Sequence, residues 1–315
     1  MKSKKILLLG AFIFALTSFS FGQVKKEITS VKVDIMQDST VHNYKRPQKS
    51  ITHGSVTVEG KRISYEAVTG TIVLKNNEDS PTISMSYVAY FKEDENDASQ
   101  RPITFIYNGG PGSATLWLLM GAWGPQRVFL NDTSRTKPPY KTVNNDYSLL
   151  DASDLVFIDA PGTGFGEVIT KKMGGAGDPK DFFGIDQDGR AFTNFITQFI
   201  TEFNRWNSPK YLFGESYGTF RSALVANMLQ NSGVGLNGVI LLSQLLTYEN
   251  MSDDAQSHPG NDNPYILALP SYAATAWYHH KLPNQPQSLL PFLKEVEHFA
   301  LNVYSLALNE GATIV

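Results

Sequence analysis

The sequence predicts an α/β protein with a central, mostly parallel sheet flanked by helices, and three observations support that class. Short apolar runs alternate with helical patterns from residue 154 to 244: "DLVFID", a long amphipathic segment, "KYLFGES", a second helical segment and "GVILLSQ", the order expected of strands joined by crossover helices. The long segment, "GIDQDGRAFTNFITQFITEFNRW", places Phe192, Phe195, Ile196, Phe199, Phe203 and Trp206 at helical spacing, a stripe suited to packing on a sheet. Finally, "YLFGESYGTFRSALV" (211–225) runs from strand to helix through Gly-Glu-Ser-Tyr-Gly, a turn that holds its serine in strained backbone at the carboxyl edge of a sheet.

The elements follow in order. Residues 1–22 open with Lys2, Lys4 and Lys5, continue with an apolar stretch from Ile6 to Leu16 and end in small residues at Ser20 and Gly22. That is the layout of a secretory signal peptide cleaved near Gly22/Gln23, and its apolar stretch is shorter than the roughly 20 residues of a membrane-spanning helix. No second apolar span follows, so the sequence predicts an exported bacterial protein, periplasmic or secreted, without stable membrane association after cleavage. Residues 23–60 are polar and mixed and read as a loosely ordered leader. "ISYEAVTGTIVLK" (63–75) and "TISMSYVAYFKE" (82–93) alternate as antiparallel strands around the turn "NNEDSP". The core is expected over 61–249. The polar stretch "NMSDDAQSHPGNDNP" then leads into the start of a helical lid over 250–315, with helices in "LPSYAATAWYHHKLP" and "LLPFLKEVEHFALNVYSLALNEG". Beyond "GVILLSQ" the pattern offers no further strand except the terminal "ATIV".

Composition narrows the function. The chain has 315 residues, 42% of them hydrophobic, which suffices for a substantial core. A formal charge of −3 without a long basic run argues against a nucleic-acid partner. Cysteine is absent, so the fold stands without disulfides and offers no thiolate metal site. No metal or cofactor is expected, and nothing in the pattern sets an oligomeric state.

Ser216, in the Gly-x-Ser-x-Gly turn, is the candidate nucleophile. A serine hydroxyl needs a base and an oxyanion cradle. The backbone N–H of Tyr217, at a helix start, supplies one donor. A second is expected from "NGGPG" (108–112), a glycine-rich loop that ends an earlier strand. A phosphate-binding reading of that loop lacks the Gly-Lys-Ser/Thr ending, and "PGTGFG" (161–166) lacks the spacing of a dinucleotide fingerprint.

Taken together, "FIYNGGPGSATLWLLMGAWGP", "DLVFIDAPGTGFG", "YLFGESYGTF" and "LPSYAATAWYHHKL" resemble the serine carboxypeptidase family (peptidase family S10) in its bacterial branch, from about Gly60 to Gly311. The resemblance implies an α/β-hydrolase fold and removal of single residues from peptides with a free C-terminus. It also implies Ser216 as acylated nucleophile and the N–H groups of Tyr217 and Gly110 as oxyanion donors, with Asn108, Gly109 and Glu215 gripping the terminal carboxylate. Glu215 can bond a carboxylate only as the protonated acid, so binding is expected to be best at acidic pH. Against the family pattern, Ile106 stands where many eukaryotic members carry Trp, Ala122 where they carry an acid, Ser113 for a Cys and Gly166 for a Ser.

The triad acid and base should follow Ser216 in sequence. His258, His279, His280 and His298 lie in a polar loop or in helices, and Asp253, Asp254 and Asp262 cluster near His258, whereas triad partners come from separate loops. The resemblance implies that both partners lie beyond this chain, which then reads as C-terminally truncated. The first expectation is therefore a serine carboxypeptidase. An esterase or acyltransferase on the same scaffold, or a catalytically dead secreted peptide-binding fragment, stands as the alternative.

Overall fold

A computed structural model of the chain describes residues 47–93, 97–130, 138–251 and 257–311. The expected signal peptide, most of the leader, Asp253, Asp254 and "ATIV" lie outside the described residues. Strands β1 (Lys49–Val58), β2 (Lys61–Lys75) and β3 (Pro81–Lys92) form an antiparallel meander. β4 (Ile103–Tyr107) is followed by a short helix α1 (Leu116–Leu118), which continues as a π-helical turn over Leu119–Trp123. β5 (Gln126–Val128) and β6 (Thr142–Asn144) form a separate antiparallel ribbon. β7 (Asp154–Ile158), β8 (Glu167–Val168), α2 (Ile185–Glu202), β9 (Lys210–Glu215), α3 (Tyr217–Asn231) and β10 (Gly238–Leu242) complete the described sheet and its helices.

The sheet order is β1-β2-β3-β7-β4-β9-β10, with β8 paired to β3. The pairs β7–β4, β4–β9 and β9–β10 are parallel, so the expected parallel centre with an antiparallel N-terminal edge is what forms. Alternation along the strands splits the core in two. Phe105 and Tyr107 of β4, Val156 and Ile158 of β7 and Leu212 of β9 face the aromatic stripe of α2, where Phe192, Phe195 and Phe199 are fully buried. Their sequence neighbours Ile106, Phe157 and Phe213 face the other way, onto Leu118, Leu150 and Trp123.

Two expectations need correction. The stretch taken as a loose leader ends in β1, paired with β2 over its whole length, with Val56 and Val58 buried. "KSITHGSVTV" has only a weak apolar alternation because β1 is an edge strand stabilised by its long partner more than by its own burial. The aromatic stripe, read through Trp206, ends at Phe203. α2 stops at Glu202, and Trp206 lies beyond it, 45% exposed, donating from Nε1 to Thr201 Oγ1 at 3.1 Å.

After β10 come α4 (Asn263–Tyr278), α5 (Leu289–Phe299) and α6 (Ser305–Glu310). α4 begins earlier than "LPSYAATAWYHHKLP" suggests and takes Pro270 into its interior. α5 and α6 are joined through a π-helical turn at Ala300–Tyr304. Among the described residues β10 is the last strand of the sheet, and Val239, Ile240, Leu241 and Leu242 are each 37–44% exposed.

Candidate active site

The site forms where β4 and β9 end side by side. Ile106 pairs with Phe213 and Tyr107 with Gly214, so the loop after Tyr107 and the turn after Glu215 leave the same carboxyl edge, the usual ligand edge of an open parallel sheet. Ser216 has φ +56° and ψ −123°, a conformation costly for a residue with Cβ. Its side chain makes no capping bond to α3. The turn is possible only with glycine before it: a Cβ on Gly214 would lie 2.0 Å from the Gly218 carbonyl oxygen. Tyr217 opens α3, and its backbone N–H faces the β4 loop, since a Cβ on Gly109 would lie 2.5 Å from that nitrogen.

Asn108 is buried and held at both ends of its amide. The Leu118 N–H donates to Oδ1 at 3.2 Å, and Nδ2 donates to Glu215 Oε2 at 2.9 Å. The Gly109 N–H also points at Glu215 Oε2, at 3.4 Å. A cavity of about 370 Å³ opens over this group, lined by Asn108, Gly110, Trp117, Glu215 and Ser216 among others. The structure thus brings Asn108, Gly109, Gly110, Glu215, Ser216 and Tyr217 together as one cluster. A second, mostly apolar cavity of about 500 Å³ lies across the Gly110–Pro111 and Ser216–Tyr217 ridge, walled by Pro111, Phe182, Phe183, Ile185, Tyr217 and Tyr248. Burial, with the Asp188 charge second, pushes the Tyr217 phenol up to about 12, so it stays neutral at this wall.

The second glycine-rich loop supports the first. Asp159, just past β7, accepts from the Thr115 N–H at 2.8 Å and from Ser86 Oγ at 2.6 Å, while Thr115 Oγ1 donates to the Ile158 carbonyl. The departure at Gly166 has a steric reason, because a Cβ there would lie 2.7 Å from the Ser84 carbonyl oxygen.

Among the described residues, no histidine lines either cavity. His279, His280 and His298 are exposed, and His298 Nδ1 meets Asn302 Nδ2 at 3.2 Å. Asp262 precedes α4, away from the lining of both cavities. Two charged residues that the sequence reading passed over are buried beside the site: Asp188 on α2 and Arg221 on α3, with Nε to Oδ2 at 2.6 Å. Asp188 sits four residues before Phe192, on the apolar stripe itself, and a charge at such a position is the signal that would have found it.

The family model "Serine carboxypeptidase" matches residues 61–283, more than half of the chain. The chain belongs to the serine carboxypeptidase family. With the observed sheet, membership makes the architecture an α/β-hydrolase fold, and the family is one of hydrolases and peptidases. Among related proteins, the mouse (Mus musculus) "Lysosomal protective protein" is 26% identical over 230 residues, covering 69% of this chain and 45% of its own. A "Carboxypeptidase Y homolog" of Arthroderma benhamiae is 26% identical over 189 residues, covering 58% of this chain and 35% of its own. Among solved structures, the prohormone-processing carboxypeptidase Kex1 of Saccharomyces cerevisiae aligns at TM-score 0.48 and 21% identity, covering 85% of this chain and 49% of that one. The chain therefore spans less than half the length of these relatives.

Proposed function

We propose that this chain contributes the nucleophile and the carboxylate grip of an exported serine carboxypeptidase of the bacterial branch. In this reading, residues 61–249 form the hydrolase core and 250–315 begin a helical lid. The observation that supports it most is the joining of Asn108 and Glu215 at 2.9 Å in one cavity with Ser216. In this reading the pair is a receptor for a terminal carboxylate next to a serine in an elbow turn, the layout needed to cut one residue from a peptide end. Asn108 Nδ2, the Gly109 N–H and the Glu215 carboxyl group hold the carboxylate of the last residue. Ser216 Oγ attacks the preceding carbonyl carbon and gives its proton to a general base, and the N–H groups of Tyr217 and Gly110 receive the oxyanion. As the C–N bond breaks, the leaving amine takes a proton and departs as the free amino acid. Water then releases the acyl group from Ser216. The base and its orienting acid come, in this reading, from sequence outside the described residues.

The direct test uses the full-length protein, an N-blocked dipeptide and a fluorophosphonate probe. Ser216→Ala should abolish both release of the C-terminal residue and labelling, and cleavage should favour the free acid over its C-terminal amide. Undiminished release by Ser216→Ala would sink the reading. Equal cleavage of acid and amide would favour an esterase or acyltransferase, for which the replacement at Ala122 gives a motive.

A further inference from the structure

The Arg221 side chain is fully buried, and its partner Asp188 nearly so. A guanidinium is expensive to bury and gains no stability merely by being paired, so its geometry is informative. It makes a fork on the Asp188 carboxylate, Nε to Oδ2 at 2.6 Å and Nη2 to Oδ1 at 3.2 Å. The remaining nitrogen, Nη1, donates to the Asn108 carbonyl oxygen at 2.7 Å. Aromatic rings enclose the group, with the Phe192 centroid 4.2 Å and the Tyr217 centroid 5.1 Å from Cζ.

The Asn108 carbonyl and the Gly109 N–H belong to one planar peptide unit, so in the trans form they point in opposite directions. Fixing the oxygen on Arg221 therefore aims the N–H at the other side, where it meets Glu215 Oε2 at 3.4 Å. We propose that the Arg221–Asp188 pair is a positioning device for substrate recognition, fixing the Asn108–Gly109 peptide plane so that its N–H and the Asn108 amide face the terminal carboxylate. Arg221 touches no substrate; it acts through the backbone of Asn108. Lysine cannot replace it, because an ammonium lacks the planar fork that spans a carboxylate and a carbonyl together. The inference rests on the carboxypeptidase reading and adds to it the residue pair that sets discrimination between free acid and amide.

The test compares kcat/KM for an N-blocked dipeptide and its C-terminal amide in full-length wild type, Arg221→Lys and Asp188→Asn. The acid-to-amide ratio should fall about tenfold or more in Arg221→Lys, mainly through KM for the acid, the size expected for losing one hydrogen bond to a charged group. Asp188→Asn, close to isosteric, should shift the ratio in the same direction and serves if Arg221→Lys does not fold. A parallel loss on both substrates, or an unchanged ratio, overturns the proposal, because a merely structural pair would not distinguish them. If wild type cleaves neither substrate, the carboxypeptidase reading fails separately. Calorimetric binding of the dipeptide acid and amide to Ser216→Ala, with and without Asp188→Asn, then decides: loss of preference for the acid upholds the role, and equal binding of both by Ser216→Ala itself ends it.

Discussion

Glu215 occupies the position where two demands meet. Its Oε2 accepts from Asn108 Nδ2 at 2.9 Å and from the Gly109 N–H at 3.4 Å, so the donors that would grip a substrate carboxylate are already engaged by a carboxylate of the protein. A substrate carboxylate must share this cluster with Glu215, so the side chain at 215 should decide how well a free C-terminus is held. Glu215→Ala takes the partner from Asn108 Nδ2 and the Gly109 N–H, and kcat/KM should fall about tenfold for a dipeptide with a free C-terminus and much less for the matching ester. An unchanged peptide-to-ester ratio would remove Glu215 from recognition. Asn108 owes its aim to position as well as type, since its Oδ1 is held by the Leu118 N–H at the end of α1.

At the scale of elements, the site is the meeting of β4, β9 and α3. The turn between β9 and α3 is so tight that Gly214 and Gly218 nearly touch, and a methyl group on Gly214 would sit 2.0 Å from a carbonyl oxygen that cannot retreat without unwinding α3. Gly214→Ala should cost about 1–3 kcal/mol of stability, the usual range for overpacking, measured as a lowered denaturant midpoint. It should also reduce fluorophosphonate labelling of Ser216. A variant as stable and as reactive as wild type would show that the strand and helix can separate freely. The aromatic stripe of α2 acts at longer range, seating the helix on the sheet and thereby bringing Asp188 under the β4 loop.

Across the molecule, ionic groups are buried at both ends of the sheet. Opposite the active-site edge, Asp154 at the start of β7 accepts from Arg101 Nε at 2.8 Å and from Arg205 Nη1 at 2.5 Å, and all three residues are buried. Arg205 also donates to the Arg101 carbonyl and Arg101 to the Leu150 carbonyl, which ties the entry to β4, the start of β7 and the chain after α2 together. Asp154→Ala would leave two guanidinium groups buried without their anion, at a cost of about 3–5 kcal/mol. Chemical denaturation should show this loss while the protein that remains folded keeps its Ser216 reactivity. A loss below about 1 kcal/mol would mean that water reaches the arginines.

The sequence by itself determined the fold class, the strands β2, β3, β4, β7, β9 and β10 with the helices α2 and α3, and the Gly-Glu-Ser-Tyr-Gly turn, because apolar periodicity and glycine at sterically closed positions are local properties. It also singled out Asn108, Gly109, Gly110, Glu215, Ser216 and Tyr217 through motifs whose spacing the family resemblance interprets. It missed β1, whose strand character comes from pairing with β2, and the two- and three-residue strands β5, β6 and β8, which are too short for a period, and it carried the helical stripe past the point where α2 ends. Only the tertiary structure decided that Asn108 and Glu215, 107 residues apart, share a hydrogen bond, and that Asp188 and Arg221 close over the Asn108 carbonyl. The physical reason is that hydrogen-bond partners are chosen by the parallel register of β4 on β9 and the seating of α2 on the sheet, which are long-range contacts that no local pattern encodes.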